Sequence, residues 1–332
     1  MKELLQRLTQ VPGPSGYESA IRDTIKEIIS PYVNDLRVDA LGNLIAKVGE
    51  KAENGRRVMV AAHMDEIGVI ASHVEKNGLV RFSNIGTILP RNLPGSRVRF
   101  LNGTRGVINS DKSEDAAKIQ PINQFFIDVG ASSEKDCPVK TGDLAVFDRE
   151  FLDMGQRVSS KAFDDRSACA LLIEIIKRIK NSPHEIYFVF SVQEEVGSRG
   201  ATTAAYQLEA DLGIAVDVTP ASNIFGVQPQ VSLGAGPAIK VRDAGHLSDP
   251  DVVKWMVDGA KAIKVPYQME VLDVGSTDAR AMQISRAGML SGVISLPCRY
   301  VHSPSEVIDM GDYQNAVDLA VHLLNHPIRL GA

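Results

Sequence analysis

One apolar segment that runs into two adjacent carboxylates constrains the fold of this 332-residue chain more than any other feature. Residues 187–192 read Tyr-Phe-Val-Phe-Ser-Val, and Glu194 and Glu195 follow after one glutamine. An unbroken apolar run of this length is typical of a strand that is buried on both faces of a parallel sheet. Ligand sites of such sheets lie at the carboxyl ends of the strands. Two acids there are costly to bury unless they are paired or bind a cation.

The alternation of side chains along an extended segment separates these two acids. Glu194 and Glu195 must point in different directions, so one can hold a cation while the other faces what the cation activates. A solvated strand end is the simpler alternative. The other polar residues of the chain decide between the two interpretations.

The composition argues against several classes of protein. A net charge of −5 disfavours a nucleic-acid-binding protein, which should carry a basic excess. No apolar run reaches the ~18 residues of a membrane span, and charges interspersed near the start argue against a signal peptide. Cys137, Cys169 and Cys298 form no CxxC pair, which is typical of reduced thiols in the cytoplasm. We therefore expect a cytoplasmic protein without nucleic-acid or membrane partners.

The order of the predicted elements suggests two domains. Residues 1–67 and 157–332 alternate strands with helices, which predicts an α/β domain with a mainly parallel sheet covered by helices on both faces. Residues 68–156 contain short strands separated by turns, with a short helix expected only near 113–118. This middle part is predicted to be a small inserted β domain.

The amino-terminal segment predicts two helices followed by a hairpin. The helices are interrupted at residues 12–14, which read Pro-Gly-Pro, and Ser15 followed by Glu18 has the pattern of a capping box for the second helix. Residues 35–48 read as a hairpin whose turn is Leu-Gly-Asn at 41–43.

Polar residues that can bind metals recur at the predicted strand ends and just before helices. They are His63, Asp65, Asp164, Glu194, Glu195, Asp217 and His302. Each has a structural alternative, since a lone histidine is more often a hydrogen-bonded surface residue, and Asp164 with Asp165 could cap a helix. So many metal-ligand residue types at the ends of the strands favour a common site.

This set of residue types suits a pair of divalent ions. Two histidines, two aspartates and one glutamate favour zinc, with cobalt or manganese as alternatives. One carboxylate would bridge the two ions. The negative charges of three carboxylates and a hydroxide would balance the positive charges of the two ions, so that the neutral cluster could be buried. Glu194 is left over as a general base for a water whose pKa the ions lower. Asp65, two residues after His63, could accept the other imidazole N–H and fix the tautomer.

Five short motifs extend this interpretation to the whole chain. They lie at residues 62–68 (AHMDEIG), 161–166 (KAFDDR), 192–197 (VQEEVG), 215–217 (AVD) and 299–303 (RYVHS). In order and spacing they resemble the M42 family of dinuclear metallo-aminopeptidases, which includes bacterial glutamyl aminopeptidases and the tetrahedral TET peptidases. The resemblance implies a zinc-peptidase-type domain interrupted by a barrel-like dimerisation domain. It also implies release of amino-terminal residues from short peptides.

The resemblance assigns the ligands of two metal ions per subunit. His63 and Asp217 would hold one ion, and Glu195 and His302 the other. Asp164 would bridge both, and related folds often have a cis peptide after it. The resemblance gives the same roles as above to the base and to the partner of His63.

The resemblance also bears on substrate and assembly. Residues 275–279 are similar to the family's Gly-Thr-Asp loop, so Ser276, Thr277 and Asp278 are expected near the substrate, although Ser276 and Val274 stand where relatives often have glycine. Family members typically build tetrahedral dodecamers from dimers, and we expect a homo-oligomer here. Apolar residues that the insertion would not bury alone point the same way: Val80, Phe82, Ile88, Leu89 and Leu93.

Three other functions stay open at this stage. A di-metal deacylase or carboxypeptidase would use the same ligands. A glycosidase needs two carboxyls ~5–9.5 Å apart across one sugar bond, whereas Glu194 and Glu195 diverge and the histidines would have no task. A non-catalytic scaffold would have lost a ligand or the base, and none is missing. The preferred amino-terminal residue is also open, because Arg280 and Arg299 could favour acidic residues or form structural ion pairs.

Overall fold

The computed structural model describes residues 1–112, 119–222 and 231–331. Within them the chain forms one eleven-stranded sheet flanked by helices and a separate closed barrel of six strands. The predicted fold class is confirmed: an α/β sheet whose central strands run parallel, with a small β barrel. The helix predicted near 113–118 lies outside the described residues. None of the helices in the described ranges is long and apolar enough to cross a bilayer.

The described elements divide into helices, sheet strands and barrel strands. The helices are α1 (Lys2–Gln10), α2 (Ser19–Ile29), α3 (Phe163–Arg178), α4 (Arg199–Leu208), α5 (Pro250–Ala262), α6 (Asp278–Gln283) and α7 (Met310–Asn325). The barrel strands are β4 (Gly68–Val74), β5 (Val80–Ile85), β6 (Arg97–Phe100), β7 (Arg105–Ser110), β8 (Phe125–Asp128) and β9 (Leu144–Phe147). The sheet strands are β1 (Asp35–Val38), β2 (Leu44–Val48), β3 (Arg57–His63), β10 (Leu152–Met154), β11 (Arg157–Ser160), β12 (Glu185–Ser191), β13 (Leu212–Pro220), β14 (Ala238–Arg242), β15 (Gln268–Val271), β16 (Leu290–Arg299) and β17 (Glu306–Asp309).

The centre of the sheet is parallel and its edges are antiparallel. Strands β12, β3, β13 and β16 run in the same direction, with Ser191 beside His63 and Asp217 beside Ser295. The predicted hairpin β1–β2 extends one edge, and β17, β11 and β10 extend the other. Because the four central strands share a direction, their carboxyl ends meet at one edge of the sheet.

Alternate residues of the central strands face two different apolar layers. On β3, Val58, Val60 and Ala62 pack with α3 and α7, whereas Met59 and Ala61 pack with α4 and α6 on the opposite face. Both faces are covered, which is why the central strands read as continuous apolar runs in the sequence. The predicted two-faced burial is therefore present.

The barrel has an apolar core of its own. Four of the residues expected to need a partner, Val80, Phe82, Ile88 and Leu93, are buried in that core within the single chain. The prediction that the insertion cannot bury them alone is wrong, because closure of the barrel turns them inward. Strand β10 falls inside the predicted insertion but pairs with β11 of the large sheet. We propose that the inserted domain ends near Phe147 rather than at 156.

Arg166 fastens the amino-terminal helix to the large sheet. Its side chain is fully buried and donates to the backbone oxygens of Met64, Leu8 and Val11. The guanidinium also lies 3.5 Å from a carboxylate oxygen of the buried Glu66. One side chain on α3 therefore fixes α1 and the turn after it against the end of β3.

Replacement of Arg166 by methionine is expected to lower the free energy of unfolding by about 3 kcal/mol, since it leaves buried carbonyl groups without donors. Arg105→Met is the control, because that arginine is largely exposed where it pairs with Asp148, and exposed pairs contribute roughly 0–1 kcal/mol. Urea denaturation measures both changes. Equal losses for the two variants would contradict the fastening role of Arg166.

Candidate active site

A cleft of about 760 Å³ lies at the carboxyl ends of the central strands. The predicted metal ligands and the predicted base all line it: His63, Asp164, Glu194, Glu195, Asp217 and His302. His63 is the last residue of β3, Asp217 lies near the end of β13, and the two glutamates follow β12. The parallel register brings these strand ends together, as the sequence predicts.

Asp164 lies between the two histidines. Its Oδ1 is 3.0 Å from His63 Nε2, and its Oδ2 is 3.1 Å from His302 Nε2. His302 Nε2 is also 3.3 Å from Glu195 Oε2. The peptide bond between Asp164 and Asp165 is cis, as the resemblance implies. The Asp164 carboxylate thus places one oxygen beside His63 and the other beside His302.

Asp165 belongs to the cluster although it was not predicted as a ligand. Its carboxylate, His63 and Asp217 each offer a ligand atom within 4.8 Å of the others. Asp165 is fully buried, and its Oδ2 accepts a hydrogen bond from the His63 backbone N–H. Burial, together with the charge of Asp217, raises the pKa of this carboxyl well above its usual range. The adjacent aspartates were the signal, but helix capping explained the second of them equally well.

The electrostatics of the cluster show an excess of buried acid. Burial, reinforced by the charge of Asp164, raises the pKa of Asp217 to about 8. Burial also raises the pKa of Glu194 and of Glu195. Burial disfavours the charged form of His302, but its hydrogen bonds with Asp164 and Glu195 outweigh this and raise its pKa to about 11. The carboxylates therefore lack sufficient positive charge among the protein's own groups.

The donor set fits divalent ions. Glu195 Oε1 and Asp165 Oδ1 are buried with no hydrogen-bond partner among the described residues. Asp164 Oδ1 is 3.0 Å from His63 Nε2, and Asp164 Oδ2 is 3.1 Å from His302 Nε2. Both distances are close to the ~3.3 Å between two tetrahedral ligand atoms that are each about 2 Å from one zinc ion. Imidazole and carboxylate groups are also the ligands that zinc, cobalt and manganese accept.

Asp65 lies directly behind the cleft wall and is fully buried. Its Oδ1 accepts from the Glu194 N–H at 2.9 Å and its Oδ2 from the Glu195 N–H at 3.1 Å. The ring Nδ1 of His63 is 3.1 Å from the Asp65 backbone oxygen and 3.4 Å from its Oδ1. The shorter distance identifies the backbone oxygen as the stronger partner of the imidazole. Asp65 thus faces Nδ1 of His63, which leaves Nε2 for the cluster.

Ser15 does not cap a helix as predicted. The N-cap of α2 is Glu18, with no side-chain hydrogen bond to the helix. The Ser15 hydroxyl instead donates to Asp65 Oδ2 at 2.6 Å. The capping-box prediction is wrong because α2 begins only at Ser19, so Ser15 precedes the N-cap by three residues and its hydroxyl is free to donate to a buried carboxylate.

Glu306 is a further residue that the sequence reasoning missed. It is buried on β17; its Oε1 accepts from the His302 N–H at 2.9 Å and its Oε2 from the Asp164 N–H at 3.0 Å. One carboxylate therefore holds the backbone of two cluster residues. An acid at the start of a short strand, four residues after His302, was the available signal.

The predicted substrate loop is only partly exposed to the cleft. Ser276 and Thr277 line it, and Thr277 also caps α6 through the Ala279 N–H. Asp278 is buried behind them and accepts a hydrogen bond from Ser191. The structure brings two of the three predicted substrate residues to the cleft surface.

Solved structures of aminopeptidases share this fold over nearly its whole length. Aminopeptidase APDkam598 from the archaeon Desulfurococcus kamchatkensis is 38% identical, with a TM-score of 0.94 over 98% of this chain and 94% of that chain. A structure of the Pyrococcus horikoshii TET1 peptidase, described as assembling into a tetrahedron or a large octahedral shell, is 33% identical, with a TM-score of 0.87 over 97% of this chain and 98% of that one. Fold and cluster together define a hydrolase of the aminopeptidase class.

The sequence comparisons identify the family. Lysyl aminopeptidase of Pyrococcus furiosus is 34% identical over 344 residues, which cover 97% of this chain and 96% of the relative. The family model described as M42 glutamyl aminopeptidase matches residues 42–319. The chain belongs to the M42 peptidase family, as its five motifs predict.

The sequence predicts two ions at this cluster, and loss of the Asp164 side chain is then expected to remove both together, because its two oxygens lie beside His63 and His302. His302→Ala should weaken mainly one ion. Asp312→Ala is the matched control, since Asp312 is equally buried but holds the Gly234 and Gly236 N–H groups elsewhere. Elemental analysis of the purified variants counts the ions. Two ions retained in Asp164→Ala would rule out a bridging role.

Proposed function

We propose that the chain is a dinuclear metallo-aminopeptidase that releases amino-terminal residues from short peptides. His63 and Asp217 would hold one divalent ion, Glu195 and His302 the other, and Asp164 both. The observation that carries this proposal is the position of Asp164, which has one oxygen beside each histidine. When bound, such ions polarise a carbonyl group and lower the pKa of water. Zinc is the proposed metal, with cobalt and manganese as alternatives.

Glu194 is the proposed general base. It lines the cleft, and its Oε1 accepts a hydrogen bond from Ser198 Oγ at 3.0 Å. Burial raises its pKa, which makes the carboxylate a stronger base towards water and lets it return the proton to the departing amine. Its backbone N–H donates to Asp65, which fixes the position of the backbone from which the carboxylate side chain projects. Base and ligands are thus separate groups.

The environments of the two glutamates weigh against a glycosidase. Both line the cleft, but Glu194 accepts a hydrogen bond from Ser198 and Glu195 lies beside His302, an arrangement that leaves the histidines without a task in the cleavage of a sugar bond by two carboxyls. A deacylase or carboxypeptidase would need the same ligands. Membership of the M42 family and the aminopeptidase relatives favour the aminopeptidase reaction.

The charges on the cleft wall support a preference for acidic over basic amino-terminal residues. Once ions neutralise the ligands, the remaining charged groups of the described wall are the proposed base Glu194 and two cations, Lys240 and Arg280. Lys240 is buried and lies 3.5 Å from Glu270, whereas the exposed Arg280 has no ion pair among the described residues. An unpaired guanidinium can form a bidentate bond with a carboxylate and repels a second cation.

We also propose that the chain works in the cytoplasm as a homo-oligomer that is built from dimers into a tetrahedral dodecamer. The shells described for the Pyrococcus horikoshii peptidase support the assembly. Exposed apolar side chains on and beside the barrel, Leu101, Val107 and Ile119, offer a contact surface. Three cysteines without disulfides are consistent with a reducing compartment.

Glu194→Gln is expected to keep both ions but to lose roughly two to four orders of magnitude in the rate of aminoacyl-anilide hydrolysis, which is the usual contribution of a positioned base. Glu195→Gln, one residue along, should lose metal as well. The measurement is steady-state kinetics on variants whose metal content is known. A Glu194→Gln enzyme with most of its activity would falsify the assignment of the base.

Arg280→Met is expected to lower kcat/KM for a glutamyl anilide relative to a lysyl anilide by about tenfold, because a charge-assisted hydrogen bond is lost. Arg286→Met is the control, since that arginine pairs with Glu209 and lies over Tyr206 rather than in the cleft. An unchanged ratio in Arg280→Met would reject the proposed selectivity while leaving the reaction itself untouched.

Light scattering tests the assembly. The wild-type protein should have the mass of a dodecamer, and Val107→Asp should shift it to smaller species by placing a charge on the apolar barrel surface. Val38→Asp is the control, because Val38 is similarly exposed but lies on β1. A single-chain mass for the wild type contradicts the proposal, and a stable dimer supports the interface but not the shell.

A further inference from the structure

Residues 12–18, here called the strap, connect α1 to α2 and run behind the cleft. None of them lines the cleft itself. We propose that Ser15 and Glu18 of the strap are positioning residues for the catalytic carboxylate Glu194, Ser15 through Asp65 and Glu18 through Gln193. This inference rests on the proposed peptidase function and adds residues to it that do not touch substrate.

The first contact is the hydrogen bond from Ser15 to Asp65. Asp65 Oδ2 accepts from Ser15 Oγ at 2.6 Å and from the Glu195 N–H at 3.1 Å. Asp65 Oδ1 accepts from the Glu194 N–H at 2.9 Å. Both oxygens are therefore committed, and the orientation of the carboxylate is fixed by donors from two distant parts of the chain. Without the hydroxyl, rotation of the Asp65 carboxylate would displace the backbone that carries Glu194.

The second contact involves the residue just before the base. Glu18 Oε1 accepts from the Gln193 N–H at 3.1 Å and from the Gly16 N–H at 2.7 Å. Gln193 has a φ of 56°, in the left-handed region that side-chain-bearing residues rarely adopt. An acceptor at its N–H stabilises this turn, which aims the following residue into the cleft. Glu18 is 5% exposed and thus shielded from competing water.

Two hydrogen bonds between Gly13 and Glu66 fix the first half of the strap. Gly13 donates its N–H to Glu66 Oε1 at 3.1 Å, and its oxygen accepts from the Glu66 N–H at 3.0 Å. A Cβ atom at Gly13 would lie 2.8 Å from Arg166 Nη2 and 2.9 Å from Ile21 Cγ2, so a larger residue would have to displace these two buried side chains. A rigid support transmits the positions of Ser15 and Glu18 to the cleft.

Capping of α2 does not explain these contacts, and the one local partner is the Gly16 N–H, which donates to Glu18. Ser15 precedes α2 without capping it, and Glu18 stands at the N-cap without a side-chain hydrogen bond to the helix. Both side chains instead reach across to residues at the end of β12 or β3. Their side chains form hydrogen bonds with Asp65 and Gln193, which adjoin the cleft residues, and this is the reason for assigning them a positioning role.

The test uses kinetics and zinc binding on full-length variants. Ser15→Ala should lower kcat on the best aminoacyl anilide by about 10–100-fold with KM nearly unchanged, the usual effect of losing a group that orients site residues. Ser15→Thr, which keeps a hydroxyl, should recover most of this. Ser182→Ala is the control: that serine also donates a 2.6 Å hydrogen bond, but to the backbone oxygen of Leu324 near the end of α7 rather than to a carboxylate.

Zinc binding to the metal-free protein is the second readout, measured by competition with a chromogenic chelator. Because Asp65 also faces His63, Ser15→Ala should weaken zinc binding by up to about tenfold, with no such change in Ser182→Ala. Glu18→Ala should lower kcat in the same way, whereas Glu18→Gln keeps an acceptor oxygen and should stay close to wild type.

Two outcomes would overturn the inference. One is a Ser15→Ala enzyme within twofold of wild type in both kcat and zinc affinity. The other is a loss of activity that Ser182→Ala shares, or that Ser15→Thr and Glu18→Gln fail to recover, since either points to general destabilisation. If the wild type cleaves no aminoacyl anilide with any metal, the proposed function fails, and the zinc measurements still decide whether the strap orients the site.

Discussion

Burial of several carboxylates beside only two imidazoles is the constraint on which the rest of the structure depends. Asp164, Glu195 and Asp217 lie where parallel strands and helix starts converge, and less than a tenth of each side chain is exposed there. Such a concentration of acid disfavours the folded state unless cations or hydrogen-bond donors compensate it. Backbone N–H groups of the cluster residues donate to the carboxylates of Asp65 and Glu306, which lie behind the ligands. The proposed pair of ions would compensate the ligand atoms themselves.

The parts of the fold that repeat a simple physical pattern were predictable. Continuous apolar strands predicted a sheet buried on both faces, and acids or histidines directly after those strands predicted a common site. His63, Glu194 and Glu195 lie together for that reason, since register in a parallel sheet carries strand ends to the same edge. The likeness of the motifs to a known family supplied the pairing of ligands, which spacing alone left open.

The parts that depend on distant contacts were not predictable. Ser15 matches a capping pattern locally, yet its hydroxyl bonds to a carboxylate fifty residues away. Glu306 has no marking motif, and its role follows only from two backbone groups that meet it in space. Val80 and Phe82 looked like surface patches because alternation along a strand does not reveal that the sheet closes into a barrel. In each case a tertiary partner, absent from the local sequence, decides the outcome.

Because Arg166 holds α1 in place, assembly of the site depends on the order in which the residues of the chain are synthesised. Residue 166 must be present before the amino-terminal segment can dock, and His302 and Glu306 come from the last part of the sequence. Contacts of such long sequence separation form late in folding. A nascent chain therefore cannot assemble the cluster while it is still incomplete. For a hydrolase of peptide bonds, this delays reactivity until synthesis has passed the last strand of the sheet.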